Sequence, residues 1–131
     1  MADITAQHES PQIRFERHEN FESWYANNVQ MFQNDFDLRL VFGELDSQPP
    51  TLVIRQHTAM TMSWLQAKLM HHFLTVHIGA YELTHGKIPV PPDQLPPEPQ
   101  PPSREYANNP AAGQVYEYLK KVREQFIESL K

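Results

Sequence analysis

Residues 89–102, PVPPDQLPPEPQPP, carry eight prolines in fourteen positions and divide this chain more decisively than any other feature. Proline lacks an amide hydrogen and fixes its own φ, so neither a helix nor a central strand can run through such a stretch. Polyproline II is the conformation left to it, and at about 3.1 Å per residue the fourteen positions can reach about 40 Å. Whatever packs must therefore be built before residue 89 or after residue 102. The expected organisation is an N-terminal arm at 1–20, a β-β-β-α core at 21–88, a Pro-rich linker at 89–109 and an amphipathic helix at 110–131.

Alternating apolar residues mark the core strands. In FDLRLVF, Phe36, Leu38, Leu40 and Phe42 share one face while Asp37 and Arg39 share the other, the period of a half-buried antiparallel strand. A first strand is expected over Glu22–Phe32, with QND as the turn between them. GELDSQPP is expected to end the second strand, and TLVIRQHTAMTM, rich in β-branched residues, reads as the third. Ile13 and Phe15 in the arm are candidates for a short edge strand. Ser63 is positioned to cap a helix over Trp64–His85, whose Leu65, Leu69, Phe73, Val76, Ala80 and Leu83 recur at spacings of three and four. That stripe can lie across the sheet. Gly86 follows where a left-handed residue would close the helix, and Gly79 inside it suggests close packing against another element. The fold class is α+β: a three- to four-stranded antiparallel sheet, a long helix, a Pro-rich linker and a C-terminal amphipathic helix.

The tetrapeptide YANN occurs twice, at Tyr25–Asn28 and Tyr106–Asn109, but nothing after the two copies aligns. The first falls in an extended run. The second opens a helix, with Asn109 as N-cap and Pro110 as its first residue. Along that helix Val115, Leu119, Val122, Phe126 and Leu130 form an apolar stripe. An isolated helix of about twenty ordinary residues is marginal in water, so the stripe needs a surface to dock on. A second copy of the chain is the preferred surface, with a foreign protein partner as the alternative.

Composition narrows the function. The net charge of -5, from 11 basic and 16 acidic residues, argues against nucleic-acid binding, which rests on clustered Lys and Arg. Absence of cysteine excludes disulfides, thiolate catalysis and cysteine-ligated metals. No apolar run approaches the roughly 20 residues of a membrane span, and the N-terminus has no signal-like apolar segment, so a cytoplasmic protein without membrane contact is expected.

His71, His72, His77 and His85 fall on one helix and invite a metal reading, but none makes an i,i+4 pair with another, and His57 lies on a strand. Asp35 and Asp37 flank a turn, where Asp serves the backbone. Ser63 with a histidine would be an acyl-transfer candidate only with a third orienting group and an oxyanion hole, and the sequence has no nucleophile-elbow or phosphate-loop pattern among its 4 glycines. No catalytic residue, cofactor or metal is assigned. Trp24, Tyr25 and Trp64, together with the stripe of the last helix, are the candidate interface residues, because Trp and Tyr combine a large apolar body with a polar edge, a character that Tyr81 shares.

The order YANNVQMF, FDLRLVFGELD and VIRQHTAMTMSWLQAKLMHHFLTVHIGAYELTHGKIP resembles a small bacterial family known as domain of unknown function 3467. The resemblance rests on Tyr25, Ala26, Asn27, Phe42, Gly43, Ala67, Tyr81, Glu82, Gly86 and Ile88, and covers residues 24–88. It implies three strands running into a helix and no particular reaction. More distantly, strands followed by two helices in an acidic chain resemble the SecB-like fold, which implies oligomers with apolar grooves for unfolded polypeptide. The expected function is a non-enzymatic protein-binding or assembly protein acting as a homo-oligomer, with a dimer favoured. A SecB-like chaperone is one alternative, and a small enzyme or metal-binding protein with an unrecognised site is the other.

Overall fold

In the computed structural model, residues 10–46, 48 and 50–131 are described. Residues 1–9 of the expected arm and residues 47 and 49 of the expected turn lie outside them. The fold is α+β, and the chain divides into two units, Met1–Trp64 and Leu65–Lys131. Three antiparallel strands, β1 (Asn28–Gln33), β2 (Asp37–Leu45) and β3 (Ile54–Ser63), form a sheet in the order β1-β2-β3. Two long helices follow, α1 (Trp64–His85) and α2 (Pro110–Ser129), with a short 3-10 turn at Pro92–Gln94.

The β1–β2 hairpin turns on one side chain. Asn34 Oδ1 accepts from the amides of Phe36 and Asp37 at 2.7 and 2.9 Å, and its Nδ2 donates to Asp37 Oδ1 at 2.8 Å. An Asx turn of this kind substitutes side-chain acceptors for the missing backbone partner. Phe36 therefore sits in the turn with 86% of its surface exposed, and not on the strand face.

β1 starts at Asn28, later than the expected Glu22. The reason is tertiary. Asn27 continues the ladder by donating its amide to Gly43 O at 3.1 Å and accepting from Leu45 N through Oδ1 at 2.9 Å. The preceding residues are drawn toward β3, where Trp24 stacks on His57 with ring centres 4.7 Å apart. Ile13 and Phe15 form no strand and are exposed.

β2 continues through Gly43, where a strand end was expected, by way of a bulge between Phe42 and Gly43 in its pairing with β3. A Cβ on Gly43 would lie 2.9 Å from the Arg55 carbonyl oxygen and 2.9 Å from Ile54 Cγ2, so the close approach requires glycine.

Register places Met31 and Met60 on either side of Leu40, Met62 beside Leu38 and Val29 beside Phe42, giving the sheet one strongly apolar face. Leu40 at its centre is 2% exposed and is the buried apolar side chain among the described residues. Its neighbours Met31 and Met60 remain 63% and 53% exposed.

β3 passes into α1 between Ser63 and Trp64 with no intervening residue. At the other end of α1, Gly86 adopts φ 87° and donates its amide to Glu82 O at 2.9 Å, while Glu82 Oε2 accepts from Ile88 N at 2.8 Å. These two bonds satisfy the helix end through the left-handed residue that the sequence placed there.

Candidate functional site

Of the candidate interface residues, Trp24 and Tyr25 meet at His57. The Nε2 of His57 lies 2.8 Å from Tyr25 O, and because a carbonyl only accepts, that nitrogen carries the proton. Nδ1 lies 2.7 Å from Thr58 Oγ1, where a neutral imidazole accepts from the hydroxyl. The segment is thus held over β3 by the Trp24–His57 stack and the His57–Tyr25 hydrogen bond, while Trp24 Nε1 donates to Glu22 Oε2 at 2.9 Å within the segment itself. A shallow hollow between Trp24, Ala26, Phe42 and Thr58 results.

Trp64 lies at the opposite end of β3, seven residues from His57, or about 23 Å at the usual strand rise. Its Nε1 donates to Asn34 O at 3.0 Å, tying the start of α1 to the β1–β2 turn. Trp24 with Tyr25 and Trp64 therefore occupy separate ends of the sheet, and each uses polar atoms in holding the fold. Asp37 is likewise occupied within the turn.

In the C-terminal part of the second unit the Pro-rich linker is extended as expected, and it is also packed on the helix that follows it. Asn109 caps α2 by accepting from Ala111 N at 3.0 Å, with Pro110 as first helical residue. A turn over residues 103–109, held by Tyr106 N to Ser103 O and Asn109 N to Tyr106 O, both 2.9 Å, reverses the chain. The Pro-rich segment then lies along α2: Pro102 beside Ala112, Pro99 beside Tyr116 and Lys120, and Pro96 O accepting from Arg123 Nε at 2.9 Å.

The match is metrical. Three polyproline II residues advance about 9.3 Å, close to the 9 Å of six α-helical residues, so prolines at every third position keep returning to one helix face. Pro91 and Leu95 have φ/ψ of −60°/149° and −63°/143°, in the polyproline II region. Sequence reasoning missed this pairing because it read the prolines as composition. The signal was their period of three at Pro96, Pro99 and Pro102.

The helix face against the prolines carries Ala112, Tyr116, Lys120, Arg123 and Ile127, all half-buried. It is rotated from the expected stripe. Val115, Leu119, Val122 and Phe126 are exposed, and Leu130 stands at the C-cap just beyond the helix. On the proline side Lys120 Nζ lies 3.1 Å from Glu117, and that hydrogen bond raises the lysine's pKa above its ordinary value.

Among the described residues no group of three or more His, Asp or Glu is arranged to hold a metal ion. His85 stacks on Tyr81 at 4.3 Å and His72 meets Phe73 edge-on at 5.4 Å. No described helix is long and apolar enough to cross a membrane.

A family model described as a protein of unknown function (DUF3467) matches residues 1–89. The match takes in the arm as well as the strands and α1, and stops where the prolines begin. No curated protein and no solved structure matches the chain.

Proposed function

The chain belongs to the DUF3467 family, and on that footing we propose that it is a non-enzymatic assembly protein that acts as a homo-oligomer and binds other protein through its apolar surfaces. One observation carries the reading: Leu40 is the buried apolar side chain among the described residues, while large apolar side chains stand exposed on every strand and both long helices. Monomeric proteins rarely expose contiguous apolar patches beyond a few hundred Å². Burial against another copy supplies the missing core, and twofold dimers are the commonest arrangement. Light scattering at micromolar concentration is expected to give a multiple of 15.3 kDa, and the mass of a single chain overturns the proposal.

The methionines favour a second reading. Met31, Met60 and Met62 line the apolar sheet face, and methionine's flexible, polarisable side chain suits surfaces that accept varied apolar sequences. In this reading the face binds extended apolar polypeptide, in the manner the SecB-like resemblance implies. Fluorescence anisotropy with a labelled, permanently unfolded polypeptide tests it. Micromolar binding that Met31→Glu abolishes supports the reading, and no binding at that concentration rejects it.

A further inference from the structure

α1 is unusually poor in charge: Lys68 and Glu82 are its only Lys, Arg, Asp or Glu residues in 22 positions. One row along it, Leu65, Leu69, His72, Val76, Gly79 and Leu83, alternates spacings of four and three, the repeat with which two helices interlock. Reversed about residue 74, the midpoint of the helix, this row falls on itself. Leu65 comes opposite Leu83, Leu69 opposite Gly79, and His72 opposite Val76. The flanking row of Lys68, Thr75 and Glu82, spaced by seven, reverses about residue 75, one position further on, the offset between core and flanking positions in an antiparallel pair: Lys68 then faces Glu82 and Thr75 faces itself.

The structure supplies the space such a pairing needs. A Cβ on Gly79 would have no neighbour within 4 Å, and a hollow of about 440 Å³ lies over Gly79, Leu83 and Gly86. Leu69 is 44% exposed and Leu65 69%. We infer that α1 packs antiparallel against α1 of a second copy, with Leu69 of each entering the hollow over Gly79 of the other and Lys68 of each beside Glu82 of the other. This inference rests on the homo-oligomer reading and specifies its interface.

Charge selects both the orientation and the occupant. A parallel pair would set Lys68 against Lys68 and Glu82 against Glu82, whereas the antiparallel pair makes two opposite-charge contacts. A foreign partner places no requirement on the helix to read alike from both ends, and a second copy about a twofold axis does. Glu82 Oε2 is engaged by Ile88 N, and the second carboxylate oxygen remains to face Lys68 of the second copy.

Charge reversal in the full chain tests the pairing. Lys68→Glu alone and Glu82→Lys alone each create two like-charge contacts and are expected to raise the self-dissociation constant by about tenfold or more. Mixing the two variants restores opposite charges at both contacts, so the mixed species is expected to form in preference to either self-pair. Because the chain has no cysteine, Thr75→Cys gives a clean second probe, expected to cross-link to itself under mild oxidation while Lys68→Cys does not. Unchanged self-association in both reversal variants, no preference for the mixed species, or self-linking by Lys68→Cys overturns the pairing and leaves the homo-oligomer reading standing. A single-chain mass for the unaltered protein overturns both.

Discussion

At the scale of single residues, Gly43 shows how a missing side chain is used twice. Its bare Cα lets β3 approach closely at the bulge, and Gln56, its partner on β3, reaches diagonally across β2 to donate Nε2 to Oε1 of Gln30, which stands opposite Val41, at 2.7 Å. Gly43→Ala forces its methyl against backbone oxygen, which cannot swing aside as a flexible side chain would. Chemical denaturation is expected to show a loss of about 1–3 kcal/mol, the usual cost of overpacking; a change below a few tenths would mean that the bulge relaxes freely. His57 offers a second test, because its ring is the platform for Trp24. His57→Ala removes the stack and the Tyr25 contact together. Trp24 fluorescence is then expected to shift toward that of a solvated indole and its quenching by iodide to rise, and no change in quenching would argue that the segment is held by its other bonds.

At the scale of elements, legibility in the sequence followed the range of the interactions. The start of α2 was readable because Asn109 and Pro110 act on their immediate neighbours, and the end of α1 because Gly86 does the same. The start of β1 was not, since Trp24 is diverted by His57, thirty-three residues away. The continuation of β2 through Gly43 was hidden for the same reason: glycine followed by acid and proline reads locally as a turn, and the reason for it lies on β3. Of the candidate site, the apolar stripe of α2 was legible from spacing, while the adjacent, proline-covered face was not. The proline–helix pairing carries its own prediction. Tyr116→Ala removes the ring beside Pro99, and Pro99→Gly removes the stiffness of the segment, so each should free residues 96–102. Both variants are expected to raise amide exchange at Glu98 and Gln100 and at the first turns of α2 by several-fold; unchanged exchange would show that the Arg123–Pro96 hydrogen bond suffices.

At the scale of the whole molecule, the family match ends at residue 89, between the strands with α1 and the Pro-rich segment with α2. Residues up to 89 carry the sheet and α1, and the proline–helix hairpin beyond them presents Val115, Leu119, Val122 and Phe126 outward. Truncation after Ile88 is expected to leave the self-association of α1 intact. If the α2 stripe also docks on the second copy, the melting temperature falls by several degrees; if it serves another protein, the number of chains per particle and the melting temperature stay as they were. Phe126→Ala should reproduce most of whichever effect appears, because it removes the largest side chain of the stripe. One surface still needs a partner after α1 has paired. Leu74, Ile78 and Tyr81 lie on the side of α1 away from the Leu69–Gly79 row and are about half exposed. A helix apolar on all sides is ordinarily enclosed on all sides, so a lone helix pair leaves α1 half finished. The expected assembly therefore covers this second side as well, and Leu74→Gln combined with Ile78→Gln should reduce the particle to the pair, lowering its mass while Thr75→Cys still cross-links. An unchanged mass with both glutamines in place would limit the assembly contacts of α1 to the single row.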